Sequence, residues 1–96
     1  MARKAKTTIY DSADYLDSSE AISAYMEEAL ATDDPAFIAK ALGVVARAKG
    51  MSKIAKKSGL SRESLYKALS FDGNPEFGTV IRVLHAMGLR FSVEAV

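Results

Sequence analysis

From Met51 to Leu69 the chain reads MSKIAKKSGLSRESLYKAL, a stretch in which lysine, arginine, serine and tyrosine recur on both sides of a Gly-Leu-Ser break. Side chains of these types recognise polyanions. Lysine and arginine neutralise phosphate oxygens, serine donates to them, and an arginine near a helix start can pair bidentately with a guanine edge. Ser52, Lys53, Lys56, Lys57, Ser61, Arg62, Glu63, Tyr66 and Lys67 are therefore the candidate DNA-binding residues. The surroundings agree in sign. Residues 40 to 70 carry Lys40, Arg47, Lys49, Lys53, Lys56, Lys57, Arg62 and Lys67 against the single acid Glu63, a net charge of +7 in a chain whose total is +1. A solvated lysine face is the competing account of the same charges, and the helical spacing beneath them favours nucleic acid.

That spacing predicts two short helices at the separation of a helix-turn-helix, which lays its second helix in a DNA groove. Gly59 supplies the left-handed turn that larger residues resist, and Ala55, four residues earlier, is small enough for the second helix to approach. Ser61 is placed to cap that helix by accepting from a free amide of its first turn. Leu60, Leu65 and Leu69 point inward, which leaves Arg62, Glu63, Tyr66 and Lys67 outward.

Several contacts have two readings. Arg62 contacts either a base edge or a phosphate. Glu63 and Lys67 stand four apart with the acid first, so they either pair along the helix, for about 0.2–0.5 kcal/mol, or reach the groove. Tyr66 stacks on sugar or a thymine methyl, or lies across a neighbouring helix. Lys53, Lys56 and Lys57 contact phosphate or remain solvated.

The remaining elements must hold this pair. At 96 residues, with 49% hydrophobic and 26% charged side chains, the chain fits one compact domain of ordinary globular composition. Asp17 followed by Glu20 resembles a capping box, and Ile22, Tyr25, Met26, Ala29 and Leu30 behind it predict a helix over 18–31. Asp34-Pro35 is a second start signal. Phe37, Ile38, Ala41, Leu42, Val44, Val45 and Ala48 give that helix a broad apolar face up to Gly50. Asn74-Pro75-Glu76 repeats the signal before a last stripe of Phe77, Val80, Ile81, Leu84 and Met87 that ends near Gly88. After Gly88 the period changes to two: Leu89, Phe91, Val93 and Ala95 alternate with Arg90, Ser92 and Glu94, the pattern of a half-buried strand. Its partner is the 7–10 segment, the same strand of a second subunit, or an edge of another protein. The expected fold is all-α, a small helical bundle of Cro/phage-repressor type. Residues 1–34 form a leader and extra helix, and residues 35–96 the helix-turn-helix region with a short C-terminal strand.

Taken in order, ARAKGMS, GLSRESLYKAL and DGNPEF resemble the HigA-like addiction-module antidote proteins of bacteria, XRE-type helix-turn-helix antitoxins related to the Cro and phage-repressor superfamily. The leader YDSADYLDSSEAISAYMEEAL is similar too, so the resemblance covers nearly the whole chain. It implies an antitoxin that inhibits a RelE- or HigB-like toxin and represses the shared operon at double-stranded operator DNA. Helix-turn-helix proteins usually bind as dimers, so a homodimer and a palindromic operator are expected. One departure weakens transfer of phage operator preferences. The leading helix starts with Met51, which donates no hydrogen bond, where phage repressors often carry glutamine. Ser52, Lys53 and nearby amides then serve as phosphate contacts while Met51 packs.

Other function classes find little support. Cysteine is absent, which removes disulfides, thiolate zinc sites and thiol nucleophiles. His85 is the sole histidine and has no ligand cluster beside it, and neither a phosphate loop nor HExxH occurs. No enzymatic activity, metal or cofactor is expected. No apolar run approaches the roughly 20 residues of a membrane span, and the basic N-terminus lacks a signal-peptide core, so a cytoplasmic protein is expected. Acids Asp11 to Asp34 dominate the first third; they either cap and solvate helices or cover a basic toxin. A stand-alone repressor without a toxin would share the fold and the recognition helix.

Overall fold

The computed structural model describes residues 16–96 and consists there of five helices: α1 Ser19–Ala31, α2 Pro35–Lys49, α3 Met51–Ser58, α4 Arg62–Ala68 and α5 Phe77–Ala86. The leader before residue 16, including the 7–10 segment considered as a strand partner, lies outside the described residues.

Three of the described helices, α1, α2 and α4, start where a side chain takes up free amides. Asp34 accepts from the Ala36 and Phe37 amides at 3.1 and 3.4 Å, with Pro35 just inside α2. For α1 the cap is Ser18, whose Oγ accepts from Ala21 N at 3.0 Å, and not Asp17. The capping-box reading was thus one residue early: a serine directly before the helix outcompetes the aspartate one step further out. At α5 the start signal is also displaced. The helix begins at Phe77 after Glu76, so Pro75 stays in the approaching loop, and Glu76 makes no side-chain cap bond.

One apolar cluster runs through all five helices. It contains Ile22, Met26 and Ala29 of α1, Leu42 and Val45 of α2, Ile54 of α3, Leu65 of α4, Val83 and Leu84 of α5, and Met87 just after α5. Expected core positions at the margins are outside it. Leu30, Phe37 and Phe77 are exposed, Phe77 to 69%. Phe77 stacks on Phe91 beyond the helices, with ring centroids 5.6 Å apart.

Residues 89–96 run without regular structure, and no strand occurs among the described residues, because the alternating segment has no second strand there to join.

The close approach of α2 to the end of α4 depends on Gly43. A Cβ there would collide with the backbone carbonyl of Leu69, so only glycine lets the two helices meet at this distance.

Candidate nucleic-acid interface

The turn between α3 and α4 is built as its residues dictate. Gly59 takes φ 78°, in the left-handed region, and its amide bonds the Ala55 carbonyl at 3.0 Å; Leu60 N reaches the same carbonyl at 3.1 Å. Ser61 then caps α4, its Oγ accepting from Ser64 N at 3.0 Å while donating to Ser64 Oγ at 2.9 Å. Leu65 and Leu69 are buried and Leu60 half-buried against the core. A contact invisible in the local sequence ties the turn to α5: the Arg82 guanidinium donates to the Ser58 carbonyl at 3.4 Å.

A seven-residue helix is too short to persist by itself, so this cap and the leucines decide whether α4 exists. Ser61→Ala should lower stability by about 1 kcal/mol, within about 0.5–2 kcal/mol, in a urea or thermal unfolding series. A variant as stable as the parent would mean that the Ser61 bond does not hold the helix start.

All nine sequence-derived candidates are exposed: Ser52, Lys53, Lys56 and Lys57 on α3, Ser61 at the cap, and Arg62, Glu63, Tyr66 and Lys67 on α4. Met51 is buried, as its side chain requires. Glu63 and Lys67 make no ion pair with each other. The Arg62 guanidinium lies 5.9 Å from the centre of the Tyr66 ring, which orients both side chains on the outer face of α4.

The candidates do not gather at one spot. Tyr66 lines an open depression of about 300 Å³ between α2 and α4 together with Lys40, Arg47, Met51, Ser70 and Phe71. Lys53 and Lys57, one helical turn apart, face the other way. Lys53 borders a depression with Asp17, Ser18 and Lys49, and Lys57 one with Lys49, His85 and Met87. Ser52 and Lys56 occupy the neighbouring stripe of α3, between those lysines and the Met51 edge.

Tyr66 is the one sequence candidate that lines this depression; of its other lining residues, Lys40, Arg47 and Phe71 carry a charge or a ring. Lys40 and Arg47 stand seven apart, which puts them on one face of α2, a signal present in the sequence. Phe71, which follows α4, carried none. Its ring lies 5.4 Å from the Lys40 ammonium, which lines the same depression, and 6.5 Å from the Phe37 ring.

A model of the family described as "Probable addiction module antidote protein" matches residues 6–95. The chain belongs to this antidote family. An uncharacterized protein of Haemophilus influenzae is 49% identical to it over 85 residues, which is 88% of this chain and 88% of that protein. No solved structure matches. An addiction-module antidote is defined by the toxin it counters, so a toxin is the partner class this family implies. Among the described residues of this antidote no three His, Cys, Asp or Glu side chains converge on a metal site. None of its described helices is long and apolar enough to cross a membrane.

Proposed function

We propose that this chain is the HigA-like, XRE-type antitoxin of a bacterial type II toxin–antitoxin module. It neutralises a RelE- or HigB-like toxin in the cytoplasm and, as a homodimer, binds operator DNA to repress its own operon. The observation that supports the DNA half is the joint between α3 and α4. A left-handed Gly59 and a capped Ser61 present a short helix whose outward residues are Arg62, Glu63, Tyr66 and Lys67, in a stretch of net charge +7. α4 is the recognition helix. Arg62 reaches a base edge, Tyr66 and Lys67 line the groove with Glu63, and Ser52, Lys56 and Ser61 contact phosphates. Lys53 and Lys57, turned towards Lys49, supply attraction from the flank. Family membership supports the toxin half.

One paired experiment tests both halves. The gene adjacent to this one is expressed alone and with the antidote, and the purified antidote is titrated with its own upstream DNA at several salt concentrations. Expected are growth arrest relieved by co-expression, and operator binding whose log affinity falls linearly with log salt by about 0.9 per phosphate neutralised. Operator binding without any toxin to relieve would replace this reading by a stand-alone repressor. Relief of arrest with no DNA binding would remove the repressor half.

A further inference from the structure

After α5 the backbone from Leu89 to Val96 runs on without a turn or bend. The Leu89 amide bonds the Leu84 carbonyl at 2.9 Å, and among the described residues nothing bonds the backbone of residues 90–96. Residues 90–96 are exposed and their backbone groups are unbonded among the described residues, so they are available to a second strand. The side chains are sorted by face. Leu89 packs against the core and Phe91 stacks on Phe77, whereas Val93, two residues further on, is 97% exposed and has no cover among the described residues.

This tail is complementary to itself read backwards. Place Ser92 opposite Ser92 of a second copy in an antiparallel pair, and Arg90 falls opposite Glu94, Phe91 opposite Val93 and Leu89 opposite Ala95, each pair occurring twice. Both charges are then matched across the strands, and apolar side chains meet only apolar ones. Neighbouring registers lose this. A slip by one residue of the pairing sum sets Arg90 against an apolar residue, and a slip by two leaves Arg90 opposite Ser92 or Val96 with Glu94 unmatched.

We infer that a second copy of this chain occupies the tail, and that the homodimer is joined by an antiparallel strand pair with its two-fold axis at Ser92. The pairing supplies partners for the open backbone edge and lays each Val93 over the other copy's Phe91, beside its stacked Phe77. The inference deepens the reading above by naming the dimer joint. It is tested without DNA or toxin, so the two readings can fail separately.

The full chain has no cysteine, so Ser92→Cys introduces a lone thiol. Residues facing each other in an antiparallel pair have Cα atoms about 4.5–5.5 Å apart, inside the range of about 4.4–6.8 Å that a disulfide spans. Mild oxidation should convert Ser92→Cys into a covalent dimer on non-reducing electrophoresis. Val96→Cys should stay monomeric there, because its two copies stand about 27 Å apart at about 3.4 Å per residue. By light scattering, Arg90→Glu and Glu94→Arg should each weaken self-association at least about tenfold. An equimolar mixture of the two should regain dimers, since every charge again faces its opposite. Circular dichroism of each variant should match the parent, the tail being outside the helical core. Cross-linking at Val96 as efficient as at Ser92, dimerisation indifferent to both reversals, a mixture that stays monomeric, or a parent chain monomeric at about 100 µM would each overturn the assignment.

Discussion

Leu65→Ala should cost about 2–5 kcal/mol of folding stability, the largest effect expected of an alanine substitution in α4. Leu65 is wholly buried, at 0% exposure, in the cluster that joins α4 to α2 and α3. Truncation removes its apolar area from the core and leaves a cavity that the surrounding helices fill only partly. The surroundings have little freedom to collapse, because Gly43 already sets α2 against the Leu69 backbone. Domains of this size are stable by about 5–15 kcal/mol in total, so the loss is a large share of it. A fall in Tm of about 10 °C or more follows, against a change within about 0.5 kcal/mol for the exposed Lys67→Ala. Unfolding curves in urea with equal slopes for parent and variant would attribute the change to stability alone. Equal midpoints for Leu65→Ala and Lys67→Ala would show that α4 is not seated as described.

The same leucine explains why so much of the fold is legible in the sequence. Positions fixed by a period and a cap are local facts: Leu65 and Leu69 repeat at helical spacing, Asp34-Pro35 starts α2, and Gly59 with Ser61 makes the turn. The departures occur where a tertiary partner decides. Periodicity extends the core stripe to Phe77, but the ring stays 69% exposed and meets Phe91 of the tail and not the core cluster. Alternation from Leu89 onward reads as a strand, yet a ladder needs a second strand that the described chain does not supply.

Site residues divide in the same way. Exposure of the nine candidates follows from helical phase, which the sequence carries. Their separation into a Tyr66 depression and a Lys53–Lys57 flank follows from how α2 and α5 pack around α3, which it does not carry. Lys40 and Arg47 show the difference. Their charge counts towards the basic stretch, but only the packing of α2 on α4 brings them beside Tyr66 and Phe71.

Arg62→Ala should weaken binding to the operator by about 1–3 kcal/mol, roughly 5- to 150-fold, and relax the preference at one base pair. The guanidinium is in the first turn of α4, exposed, and held over the Tyr66 ring at 5.9 Å. An exposed cation–π contact is worth only about 0.5–1 kcal/mol, enough to bias the side chain outward and too little to keep it from a guanine. Two comparisons separate base reading from charge. Arg62→Lys keeps the charge and loses the fork of donors, so it should recover little if Arg62 pairs bidentately and most of the loss if it only meets phosphate. Lys56→Ala, which removes a cation from the neighbouring helix, should weaken operator and unrelated duplex alike and lower the salt dependence by about one phosphate. Stability should be unchanged in both alanine variants, because both side chains are exposed. Full rescue by lysine would demote Arg62 to a backbone contact, and unchanged affinity in Arg62→Ala would take base recognition away from this position of α4.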